Sequence, residues 1–177
     1  FTYEGVLWRD PEVTVTSPWW GGDPSGKKGY RLLGTWGRYE EEGQPFERKG
    51  LGFEFTGEAG SRETLQPFWW GRASRFDYDT GEDRTVLEGS LGLRWERSGW
   101  GFESRFEKRW VDGSTPMSWD ELEEIEEAYQ TVEWPITERW RLAVRAGYDL
   151  LRENFHEMAY RLAYDRECYR FEVFYVN

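Results

Sequence analysis

A chain of 177 residues with 34 acidic and 23 basic side chains has a formal net charge of −11. That argues against a nucleic-acid partner, because such a chain lacks the cation excess that neutralises a row of phosphates. Aromatic residues make up 19% and charged residues 32%, whereas a disordered acidic chain is poor in aromatics. No run approaches the roughly 18 apolar residues of a membrane-spanning helix.

Along the chain the dominant hydrophobic period is two, the signature of a strand with unlike faces. Thr2–Trp8, Val13–Ser17, Tyr30–Tyr39, Arg48–Glu58 and Phe68–Tyr78 read as strands. Turn residues separate them, at Gly21-Gly22-Asp23-Pro24-Ser25-Gly26, Gly43-Gln44-Pro45 and Asp79-Thr80-Gly81-Glu82-Asp83. From Val86 to Glu96 the odd positions hold Leu87, Leu91, Leu93 and Trp95, and the even ones Glu88, Arg94 and Glu96. After Ser98-Gly99 the phase flips, so that Trp100, Phe102, Phe106 and Trp110 share a face against Glu103, Arg105, Glu107 and Arg109. A hairpin turning on Ser98-Gly99 sets Trp95 opposite Phe102, Leu91 opposite Phe106 and Leu87 opposite Trp110. The same register sets Arg94 against Glu103 and Glu88 against Arg109, satisfying the apolar face and the charges together.

One stretch departs from the period. Ser118-Trp119-Asp120-Glu121 has the spacing of a capping box, and Leu122, Ile125, Tyr129 and Val132 follow at helical spacing. The spacing predicts a short acidic helix near 119–132, although a strand with a charged end fits the same residues. Alternation then resumes with Trp140, Leu142, Val144, Ala146 and Tyr148 in phase, and Arg139, Arg141 and Arg145 on the other side. Met158, Tyr160, Leu162 and Tyr164 share one phase, and Tyr169, Phe171, Val173 and Tyr175 the opposite one. A tight turn near Asp165-Arg166 reconciles them by pairing Tyr160 with Phe171 and Met158 with Val173, which sets Arg161 unfavourably opposite Arg170. The expectation is an all-β, antiparallel, up-and-down arrangement of about nine to eleven strands in one region, 1–177, with no linker.

Alternation does not say which face is wet. A soluble barrel or sandwich turns its apolar face inward, whereas a membrane barrel turns it to lipid around a polar lumen. Aromatic residues near strand ends (Trp95, Trp100, Trp110, Trp140, Tyr148) and the Arg- and Glu-rich opposite face favour the membrane arrangement. Arg94, Glu103, Glu88 and Arg109 would then be lumen charge pairs. Lys108 on the apolar face argues mildly the other way. The single cysteine, Cys168, is either a free thiol or half of a bridge to a partner outside these residues.

Trp110-Val111-Asp112-Gly113-Ser114-Thr115-Pro116-Met117-Ser118-Trp119-Asp120 resembles the V-x-G-x-S/T-P-F-x-F-D segment of LPS-assembly outer-membrane proteins, the LptD-like or organic-solvent-tolerance family. Gly113, Thr115, Pro116 and Asp120 carry the likeness, while Met117 and Trp119 replace the usual Phe residues. Gly147-Tyr148-Asp149-Leu150 is similar to that family's Y-D-L strand through Tyr148 and Asp149. Leu162-Ala163-Tyr164-Asp165-Arg166-Glu167-Cys168-Tyr169 is similar to its closing L-x-Y-x-x-x-C-W element. The resemblance covers 110–177, with a shorter likeness at Arg9-Asp10-Pro11-Glu12-Val13 to the start of a barrel segment. It implies the C-terminal part of a larger transmembrane barrel in the cell outer membrane. Such a barrel takes lipopolysaccharide from periplasmic bridge proteins and passes it through a polar lumen and lateral seam into the outer leaflet, with a plug lipoprotein in the lumen. Tyr169, Phe171, Val173 and Tyr175 would line one wall of the seam. Cys168 would bridge to a cysteine in the family's N-terminal region, beyond these residues.

No catalytic constellation competes. His156 is the only histidine and has no cysteine or histidine cluster around it; Gly-x-Ser-x-Gly and a phosphate-binding loop are absent. The expectation is a conduit without cofactor or metal, not an enzyme. The alternative is a soluble, aromatic-rich carbohydrate-binding β-module, in which Trp19-Trp20 and Trp69-Trp70, each followed by Gly, stack on sugar rings.

Overall fold

A computed structural model describes residues 8–9, 12–22, 28–41, 44–61, 63–117, 122–166 and 169–176. Asp120, with the rest of the Ser118–Glu121 run, and Cys168 lie outside them, and so do the readings placed on those residues. The described residues form β1 (Trp8–Arg9), β2 (Val13–Thr16), β3 (Gly29–Glu41), β4 (Gln44–Glu58), β5 (Gln66–Tyr78), β6 (Asp83–Arg97), β7 (Trp100–Gly113), β8 (Ile125–Pro135), β9 (Trp140–Asp149), β10 (Asn154–Arg166) and β11 (Tyr169–Val176). All belong to one open sheet, in which β3 to β11 follow one another in chain order. β1 and β2 share one side of β3, with Trp8 opposite Glu40 and Val13 opposite Trp36. Among the described residues no helix forms, and no pairing joins β11 back to the first strands.

The β6–β7 hairpin turns where alternation places it. Ser98 and Gly99 have φ of +54° and +82°, the pair of left-handed residues that a type I′ turn needs to match strand twist. Two expectations are corrected. Ile125–Pro135, which overlaps the acidic helix expected near 119–132, takes the alternative form of a strand, β8, with Val132 opposite Val144 and Trp134 opposite Leu142 of β9. Pairing with β9 overrides the helical tendency of the Glu-rich run, because a strand lets Glu127 and Glu133 share a face with Arg-bearing neighbours. The β10–β11 register also differs, since Tyr160 lies opposite Tyr175, Leu162 opposite Val173 and Tyr164 opposite Phe171. The turn thus falls two residues later than expected. Facing is preserved, and Arg170 sits opposite Asp165 and not Arg161, which removes the like-charge pair.

The contacts of the chain fall into two compact units: Phe1–Thr56, Trp70–Gly89 and Arg109–Glu124 form one, and Gly57–Trp69, Ser90–Lys108 and Ile125–Asn177 the other. The first holds a small core of Tyr39, Phe46, Tyr78 and Met117, with Phe76 packed against it. Tyr39 and Phe46 stack at 5.5 Å between ring centroids. Met117 is delivered by the segment after β7. The Ser114 N–H donates to the Asp83 carbonyl at 3.0 Å, and the Met117 N–H to Thr115 Oγ1 at 3.2 Å. Gly113 makes the bend with φ of +89°.

In both units exposure follows parity, and the exposed face is the apolar one. Leu32 and Trp36 of β3, Leu51, Phe53 and Phe55 of β4, and Leu87 of β6 are exposed in the first unit. Leu91, Leu93, Phe102, Phe106, Val132 and Tyr160 are exposed in the second. Residues of opposite parity (Arg48, Glu54, Arg94, Glu103, Arg109, Glu133) are less exposed.

Candidate functional site

The sheltered face is a lattice of arginine–carboxylate pairs, laid out by strand alternation and cross-strand register. In the first unit Arg31 pairs with Glu54 at 2.8 Å, and Glu54 also accepts the Trp70 indole N–H at 3.1 Å. Arg48 pairs with Glu12 at 2.8 Å and donates to the Tyr39 hydroxyl at 3.0 Å. Arg109 Nε lies 3.3 Å from Glu88 Oε2, so these two predicted partners are together.

In the second unit Arg94 does not pair with Glu103. Its guanidinium bonds Glu58 and, at 2.7 Å, Gln66 Oε1, and it lies over the Phe68 ring at 5.2 Å. The end of β4 and the start of β5 offer a carboxylate and an amide at once, which a single cross-strand carboxylate cannot match. Two residues that the sequence does not single out, Glu133 and Arg161, join Arg141 in a cluster. Glu133 accepts from Arg141 at 3.2 Å and from Arg161, while Arg141 Nε donates to Asp165 at 3.1 Å. The parity of Arg141 is visible in the sequence, but its partners depend on the registers β8–β9 and β9–β10.

A second cluster surrounds Tyr129. Arg145 and Arg105 flank its ring at 4.3 and 5.0 Å, a cation–π arrangement, and its hydroxyl donates to Glu127 at 2.6 Å. The Nε atoms of Arg105 and Arg145 lie 3.1 and 3.2 Å from Glu107 and Glu157, yet neither makes an aligned hydrogen bond. They act there as charges. His156 sits in the β10 bulge, where both it and Glu157 follow Phe155 against the Tyr148–Gly147 step, with Nε2 3.4 Å from the Tyr129 hydroxyl. Its ring occupies the space over Gly147, where a Cβ would approach His156 Cε1 to 2.8 Å.

Between the β6–β7 turn and β8–β10 the second unit forms a half-open cavity of about 300 Å³, lined by Arg94, Glu103, Gly101, Thr131, Glu133, Arg141 and Arg161 among others. Among the described residues no group of three or more His, Cys, Asp or Glu side chains is arranged to hold a metal ion.

The remaining predicted residues scatter. Gly113, Thr115 and Pro116 form the bend that seats Met117. Tyr148 packs edge-on to Phe155 at 5.1 Å. Asp149 is buried, and its carboxylate accepts the N–H groups of Leu151 and Arg152, both at 2.9 Å. It shapes the β9–β10 turn. Tyr169 begins β11, and Phe171, Val173 and Tyr175 are exposed along it. On the apolar face Lys108 is paired with Glu126 at 2.7 Å. Trp20 packs on Tyr30 at 5.7 Å, and Arg31 covers the Trp19 ring at 4.8 Å. Compared with models of known protein families and with curated proteins, the chain matches none.

Proposed function

We propose that this sheet is part of a transmembrane β-barrel of the cell outer membrane, with its apolar face to lipid and its Arg–Glu face toward a polar lumen. The observation that carries the reading is the inversion of faces. Large apolar side chains such as Leu51, 77% exposed, and Leu91, 61% exposed, lie outward, while pairs such as Arg31–Glu54, Arg48–Glu12 and Arg94–Glu58 are sheltered. A water-soluble fold seldom leaves so extended an apolar surface open, whereas a lipid-facing sheet requires one. Lys108 is paired with Glu126, the second residue of β8, and a strand end is where charged side chains reach the membrane interface.

Within that barrel the LptD-like resemblance supports a conduit that inserts lipopolysaccharide into the outer leaflet, working with a plug lipoprotein and periplasmic bridge proteins. On this reading β11 is one wall of the lateral seam, and the partner of Cys168 is a cysteine outside these 177 residues. The soluble carbohydrate-module reading has less support. Trp70 is tied to Glu54 and Trp19 lies under Arg31, so only one tryptophan of each pair, Trp20 and Trp69, is exposed. The test is extraction and electrophoresis. The protein should partition into detergent and migrate differently on a gel before and after boiling. Purification as a folded monomer without detergent would end the membrane reading.

A further inference from the structure

Gly101 lines the half-open cavity of the second unit without a side chain; a Cβ there would come within 3.3 Å of Glu133 Cβ. The cavity lining from the sheltered face carries three arginines (94, 141, 161) and three glutamates (96, 103, 133). An anionic guest looks suited to such a site until the donors are traced. Arg94 is committed to Glu58 and Gln66, Arg141 to Glu133 and Asp165, and Arg161 to Glu133. A phosphate would have to displace a carboxylate and leave it sheltered without a partner, which is strongly unfavourable. The opposite holds for Glu103. With Arg94 drawn to Glu58, no cation lies within ion-pair distance of the half-sheltered Glu103 carboxylate among the described residues, and the Thr131 hydroxyl lines the same cavity.

We propose that this cavity binds a small organic cation, a primary ammonium group held by Glu103 with Thr131 as a hydrogen-bond partner. The guest supplies the charge that Arg94 withholds, beside a Glu133 already engaged by Arg141 and Arg161. Nothing in this requires lipid around the sheet, so the site stands or falls apart from the membrane reading.

The test uses the folded chain, in detergent or in water as its solubility dictates, and follows the backbone amides of Gly101 and Thr131 by NMR. Propylammonium chloride at neutral pH should give saturable shifts, while propanol, of the same size without the charge, and sodium phosphate should not. Glu103→Gln should weaken propylammonium binding at least tenfold. If that variant alters the spectrum of the whole sheet, Gly101→Val decides, because it narrows the cavity beside Glu133 and leaves the Glu103 charge; binding of undiminished strength overturns the proposal. Equal shifts with propanol, stronger shifts with phosphate, or unchanged binding in Glu103→Gln would overturn it as well.

Discussion

At Gly113 two constraints coincide. The residue has φ of +89°, and a Cβ placed there would sit 2.0 Å from the Asp83 carbonyl oxygen, a backbone atom that cannot swing aside. Gly71 is a useful contrast, since the atoms nearest a Cβ there belong to the Phe55 ring, at 2.4 Å, and that ring is exposed and has room to move. Gly113→Ala is therefore expected to cost about 2–3 kcal/mol of stability through strain and overpacking. Gly71→Ala should cost less, about 1 kcal/mol, because the neighbour that must yield is a side chain. Denaturant midpoints of the two variants check the order; equal losses would mean that the Gly113 bend is not held against Asp83. The Gly113 bend also gives a physical reason for the glycine in the Gly-Ser-Thr-Pro run, since it is the step that turns the chain back to bury Met117.

Among the elements, the hairpins divide by how tightly the sequence constrains their turns. Ser98-Gly99 suits a two-residue turn, and apolar and charged faces agree on one alignment, so β6 and β7 are legible from the residues alone. For β10 and β11 alternation fixes only the facing. Shifting the turn by two residues keeps every side chain on its face, so periodicity accepts both alignments, and only the charge at Arg161 and Arg170 distinguishes them. The acidic stretch reads ambiguously because helical spacing and strand alternation overlap in Ile125, Tyr129 and Val132, and the decisive partner, β9, is remote from any local signal. Arg94 shows the same limit within the site. Its facing is readable, but its partners come from β4 and β5, on the side of β6 away from the expected β7. The β10–β11 register can be tested directly in a Cys168→Ser background. Cysteines at Leu162 and Val173, which are opposite one another, should form a disulfide on mild oxidation. Cysteines at Met158 and Val173 should not, being displaced by four residues, about 13 Å along the strand. The reverse outcome would restore the alignment that alternation alone suggests.

For the whole molecule the question is what covers the exposed apolar face. An arginine introduced at Leu91, whose side chain is 61% exposed, distinguishes the solvents. Against the middle of a bilayer it should cost about 2–4 kcal/mol, whereas on a wetted surface the change should stay within about 0.5 kcal/mol. The measurement is folding stability of Leu91→Arg in lipid vesicles. Arginine at Val15, also exposed but in the short strand β2, is a companion position for mapping how the penalty varies along the sheet. A neutral result at Leu91 would remove the lipid from the argument.

Because β3 to β11 pair in chain order, no connection has to pass over another strand. Such a sheet can gain or lose one hairpin, two strands and a turn, without rerouting the rest of the chain. In evolutionary terms the hairpin is then the natural unit of duplication and deletion. Relatives of this protein would be expected to differ in strand number by twos while keeping the Arg–Glu face in phase, since an even change alone preserves the direction in which each following strand runs.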